Sequence, residues 1–85
     1  MKIFCSAVMF QERGCPYWNI ITGKRHCDCF EKMFHYGVKV QYHIEGFLTD
    51  SNQFVDRYDG AQIAYQAKQI TEPLNILYSE DIWPD

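Results

Sequence analysis

Long apolar runs are missing. No stretch approaches the roughly 20 residues that a membrane-spanning helix needs, so no membrane partner is expected. Positive charge is also scarce. Eight Lys and Arg stand against eleven Asp and Glu, for a net charge of −3. No basic residue follows Lys68, whereas Glu72, Glu80, Asp81 and Asp85 do. A non-specific nucleic-acid coat needs a dense cationic surface to displace counterions, so neither DNA nor RNA is expected as a partner. Internal repeats, low-complexity tracts and linkers are absent as well. Cysteines are present but lack a metal-binding pattern. Cys27 and Cys29 are separated by one residue, Cys5 and Cys15 supply no matching pair, and His26 and His35 do not complete a set. Buried free thiols are the expectation, with no metal and no cofactor.

What is present fits one small domain spanning residues 1–85. An apolar fraction of 47% and a charged fraction of 22% are those of an ordinary folded chain. A chain of this length buries only about 60–65% of the surface its unfolded form exposes, so a lone monomer has thin stability. Aromatic residues make up 16% of the chain, more than so small a core hides. Rings left outside serve an interface or a ligand pocket, and a homodimer or higher homo-oligomer is expected. The apolar opening, Ile3 to Phe10, runs into Gln11-Glu12-Arg13 without a small-residue cleavage pattern. It reads as a first strand, and the chain as cytoplasmic, with disulfides lacking their usual compartment.

Hydrophobic spacing predicts strands over residues 2–10 and 17–22, joined through a turn holding Gly14 and Pro16. The period changes at His26–Tyr36, where Cys27, Phe30 and Phe34 fall on one helical face with Cys29 and Met33 flanking. Gly37 sits where the helix should end. Residues 38–44 alternate as a half-buried strand and continue extended through Thr49, Asp50-Ser51-Asn52 is a turn, and Gln53–Val55 a short return strand. Asp56 is a good N-cap for a helix through Ala67 or Gln69, within which Gly60 costs about 1 kcal/mol against Ala. Leu74–Tyr78 is a last strand or an ordered tail. The expected fold is α+β, ββαββα, with that C-terminal segment.

The turn Gly23-Lys24-Arg25-His26-Cys27-Asp28 leads a strand into a helix start. Unpaired N–H groups and the positive dipole end there suit phosphate, and Lys24, Arg25 and His26 add charge and planar donors. The alternative is that Lys24 and Arg25 are solvated loop charges and Asp28 merely favours the helix start. Neighbouring residues at a helix start point in different directions, so His26, Cys27 and Asp28 do not assemble a nucleophile and base by proximity. A second cluster runs from Gly46 to Arg57. There Phe47 and Phe54 are either rings for a base or core, and Asp56 and Arg57 either hold a ligand or cap and pair. A third, Leu77 to Trp83, is too acidic to meet phosphate through its carboxylates. It either pins Arg25 or Arg57 or packs Tyr78 and Trp83 against a partner chain.

Gly23-Lys24-Arg25-His26-Cys27-Asp28, Gly46-Phe47-Leu48-Thr49, Phe54-Val55-Asp56-Arg57 and Leu77-Tyr78-Ser79-Glu80-Asp81 together resemble the phage Thoeris anti-defence "sponge" family over about residues 2–82. The resemblance implies a phage protein in the host cytoplasm that binds a small cyclic nucleotide without cleaving it. That ligand would be a cyclic ADP-ribose isomer, or a cyclic oligonucleotide of the CBASS system. By this likeness Arg25 would bind phosphate, Phe47 would stack on a base, and Asp56 with Arg57 would lie at the ribose-phosphate end. Lys24, His26 and Tyr78 complete the candidate ligand set. Two alternatives stand beside it: an inhibitor that binds a host defence enzyme, and a small nucleotide hydrolase using His26, Cys27 and Asp28.

Overall fold

The computed structural model describes residues 1–84. Strand β1 (Ile3–Glu12) turns back into β2 (Trp18–Gly23), helix α1 (His26–His35) follows, and then β3 (Val40–Thr49) and β4 (Phe54–Asp56). Helix α2 (Arg57–Gln66), an irregular tail and the short helix α3 (Ser79–Ile82) complete the chain. The four strands form one sheet in the order β2-β1-β3-β4, antiparallel throughout. The expected α+β order is observed. Among the described residues no helix is long and apolar enough to cross a membrane.

Local chemistry explains most boundaries. The hairpin turn closes at Gly14, whose φ of 77° suits a residue without a Cβ, and the Cys15 N–H donates to the Glu12 carbonyl. Asp56 caps α2 as its residue type predicts, accepting from the N–H groups of Tyr58 and Asp59 at 3.0 and 2.8 Å. Helix α2 ends at Gln66, short of Gln69, because Lys68 turns left-handed at φ 61° and the Gln69 N–H closes onto the Ala64 carbonyl. The Gln69 side chain then pairs with the backbone of Ile3 through two 2.8 Å hydrogen bonds. Leu74–Tyr78 is an ordered tail, not a strand: the Leu77 N–H bonds the Arg57 carbonyl and its side chain is fully buried.

All helices and the tail lie against one face of the sheet. Ile3, Phe47, Ala61, Ala64 and Leu77 form the core under α2, and Val8, Phe10, Cys29 and Met33 the core under α1. Gly60 lets α2 come close: a Cβ there would stand 3.0 Å from the Phe47 ring. The buried face of α1 differs from the one its hydrophobicity predicts. His26, Cys29 and Met33 face inward, whereas Cys27 is exposed and Phe34 is 88% exposed. The helix is rotated by about one residue, some 100°, from the expected orientation. Polar partners for His26 explain the choice, since they stabilise a buried ring that apolarity alone would leave outside.

Two bulges set the phase of the strands. Ile3 pairs with Thr49 but Cys5 with Leu48, and Gln11 pairs with Tyr42 but Glu12 with Val40. Each shift inserts one residue and reverses which face its neighbours occupy. Val40 therefore packs under α1, while Tyr42 and Ile44 point to the other face and His43 and Glu45 to the helix side. The apolar alternation expected to face the core is, in the middle of β3, directed away from it.

Candidate functional site

Residues singled out in sequence do come together, around His26 at the start of α1. Its Nε2 lies 2.6 Å from the Gly46 carbonyl, which only accepts, so Nε2 carries the proton. Nδ1 is then left with its lone pair facing the Ser79 hydroxyl at 2.5 Å and one Arg57 nitrogen at 3.5 Å. Ser79 donates to that nitrogen and accepts from the His26 backbone N–H at 3.1 Å. The Ser6 hydroxyl completes the set, 2.8 Å from Ser79 and 3.1 Å from the Lys24 carbonyl. Every proton has an acceptor while His26 is neutral. Burial pushes its pKa below the usual value and the Arg57 charge acts the same way, against the Gly46 bond and the charges of Glu45 and Glu80.

Arg57 is fixed inside this hub. One nitrogen donates to the Leu77 carbonyl at 2.8 Å and another to Glu45 at 2.6 Å, with the guanidinium 4.7 Å above the Tyr78 ring. The C-terminal tail pins Arg57, as one reading of its sequence held, but through a carbonyl and a ring and not through its carboxylates. Phe47 is fully buried, edge-on to His26 at 5.0 Å between centroids.

Three residues of the expected ligand set are turned into the hub. Phe47 offers no free face to a base, because both α2 and Leu77 cover it. His26 is buried, with both ring nitrogens directed into the hub and not outward. Arg57 directs two of its five N–H donors to Glu45 and Leu77. Asp56 is engaged as the cap. Lys24 stays exposed, and Arg25 holds the position before α1 with its N–H bonded to Asp28. Lys24 lines an open groove of about 430 Å³ with Gly23, Asp28, Glu31, Lys32, His35 and Tyr36. Tyr78 is half exposed beneath Arg57.

Ser79 against His26 has the spacing of a nucleophile and its base. At 1% exposure, and with its oxygen occupied by Ser6 and a backbone N–H, Ser79 is closed to any substrate. Cys27 and Cys29 fall on different sides, one exposed and one buried. Sequence reasoning missed Ser6, Glu45 and Ser79. The available signals were a lone serine inside the apolar run Ile3–Phe10 and the place of Ser79 inside the Leu77–Trp83 cluster; Glu45 had none, because its partner Arg57 is distant in sequence.

The opposite face of the sheet carries an exposed apolar row. Pairing of Met9 with Ile20 and with Ile44, and of Gln11 with Trp18 and with Tyr42, puts these residues side by side there. Trp18, Ile20, Tyr42 and Ile44 are 47%, 48%, 57% and 41% exposed. Phe54 joins them across Gly46, where a Cβ would lie 2.7 Å from the Phe54 ring. Among the described residues, neither a helix nor the tail packs on this side.

The fold is thus a two-layer α+β domain with a closed polar hub and, among the described residues, one uncovered apolar sheet face. The Phage T4 y16D protein family model matches residues 2–83, and the chain belongs to that family. No curated protein and no solved structure matches it. The family match establishes a phage protein and carries no link to nucleotide sequestration, so the sponge resemblance narrows to its phage part.

Proposed function

We propose that this chain is a non-enzymatic phage accessory protein that acts by contact, with the uncovered sheet face as its working surface. The carrying observation is the row Trp18, Ile20, Tyr42 and Ile44, apolar and two-fifths or more exposed on a face that no other element covers among the described residues. Contiguous apolar surface of this kind marks an interaction site far more often than a scattered exposed residue does. The Ser79–His26 pair supports the absence of turnover, being sealed by its own hydrogen bonds. The test is a photo-crosslinking residue in place of Tyr42, activated during infection. A discrete covalent adduct is expected, and no adduct at any time after infection would end this reading.

The groove beside α1 favours a second reading, sequestration of a small phosphorylated nucleotide. Lys24, Lys32 and His35 supply cationic or planar donors and Tyr36 an exposed ring, in a volume of ordinary ligand size. Asp28 and Glu31 in the same groove oppose a phosphate. Calorimetry with a cyclic ADP-ribose isomer decides: sequestration requires binding that Lys24→Ala weakens by about tenfold or more, and ligand released intact on heating. Absence of heat with the unsubstituted protein removes this reading.

A further inference from the structure

We propose that the uncovered sheet face is where two copies of this chain meet, sheet against sheet about a two-fold axis. This rests on the contact reading above and names its partner.

Charge is the first argument. Met9, Trp18, Ile20, Tyr42, Ile44 and Phe54 carry no formal charge, in a chain whose net charge is −3. Most approaches between two such copies oppose like charges, but this one does not. The acidic tail lies on the far side of the sheet, held by the Ser79–Ser6 bond, so a two-fold stack leaves both tails outside. A two-fold contact sets one patch against itself, and an uncharged apolar patch meets that condition without a complementary surface elsewhere.

The pattern of β3 is the second argument. After its bulge the strand turns Tyr42 and Ile44 outward and His43 and Glu45 toward the helices. A strand facing one core and water would be arranged the other way. The apolar half of the strand, Tyr42 and Ile44, thus lies on the side where the single chain supplies no covering layer among the described residues.

Area agrees. The radius of gyration is 13.0 Å, against about 11.9 Å for a compact chain of this length. The accessible surface is 5769 Å², against roughly 5,300 Å² expected for a monomer of 10.1 kDa. Principal extents of 41 × 26 × 21 Å make the body elongated, which leaves it more surface than a compact one of its mass. At about 3.3 Å per residue the strands run from about 10 Å for β4 to about 33 Å for β1 and β3, and at about 4.8 Å spacing they project to roughly 450 Å². Standing rings raise that toward the roughly 800 Å² per partner of a stable interface. Aromatic and aliphatic side chains without charge are also the composition of a permanent homodimer core, more than of a surface that comes and goes.

Sedimentation of the purified protein tests this. A mass twice the single-chain 10.1 kDa is expected at micromolar concentration. Ile20→Lys with Ile44→Glu should return the single-chain mass with an unchanged far-UV circular dichroism spectrum. Unsubstituted protein that sediments as one chain, or a folded double variant that still sediments as two, overturns the proposal. Should the double variant fail to fold, the crosslinker at Tyr42 in the otherwise native chain decides. An adduct of two chain masses supports the dimer. An adduct of another mass leaves the contact reading standing and overturns the dimer, and no adduct removes both.

Discussion

At the scale of single residues, His26 links stability to pH. Its pKa in the folded chain lies below the ordinary 6.5, chiefly because the ring is buried. The unfolded chain therefore binds a proton at a pH where the folded one does not. Stability from this group is complete above about 6.5 and declines as pH falls below it, toward the lower folded value. The charged groups facing it are Arg57, Glu45 and Glu80, so Coulomb effects of both signs act on the ring. Melting curves between pH 7.5 and 5 should show a fall that His26→Gln flattens, with His35 and His43 unchanged in both proteins as the reference. An identical fall in the variant would show that the proton goes elsewhere. Thiols give a second residue-scale prediction. Burial pushes Cys29 up to about 11, whereas Cys27 is exposed. Since the thiolate reacts, mass-spectrometric mapping should find Cys27 labelled in the native protein and Cys29 only after unfolding. Prompt native labelling of Cys29 would contradict its place under β1.

At the scale of elements, β3, β4 and α1 are joined at Gly46. A Cβ there would overlap the Val55 carbonyl and press the Phe54 ring, and the Gly46 carbonyl also holds His26. Gly46→Ala should destabilise by about 1–3 kcal/mol or more, the cost of overpacking with a displaced backbone. Urea denaturation measures this, and a loss under about 0.5 kcal/mol, within surface-mutation scatter, would mean that β4 moves aside freely. The same elements show what a sequence discloses. The hairpin, the start of α1 and the Asp56 cap depend on residues a few positions apart, and each is readable from Gly14, Gly23–Asp28 and Asp56 alone. The face of α1 was not readable, because the preference for His26 over Phe34 comes from Ser79 and Gly46, 53 and 20 residues away. Nor were the bulges at Phe4 and Gln41. An extra residue in a ladder leaves the alternation of the strand unchanged and reverses only its meaning. The candidate site shows the same effect: His26, Arg57 and Tyr78, read in three separate stretches, meet in one hub where polar atoms bond one another.

At the scale of the whole molecule, the small core of a single chain sets how much pairing can add to its stability. Two cores of four or five buried hydrophobic residues each are modest for 85 residues. The hub adds specificity more than energy, since its hydrogen bonds replace bonds to water and each nets only about 1 kcal/mol. If paired sheet faces add stability, unfolding separates two chains, and the melting temperature must rise with concentration. A chain of this length unfolds with an enthalpy of roughly 60 kcal/mol, or about 120 for the pair. Each tenfold increase in concentration should then raise the melting temperature by about 4 °C. Calorimetric scans over a hundredfold range should show a rise of about 8 °C, lost in Ile20→Lys with Ile44→Glu, whose melting point should also be lower. A melting temperature that stays constant over that range would mean that the single chain is the cooperative unit. The aromatic surplus would then have to be explained by a partner other than itself.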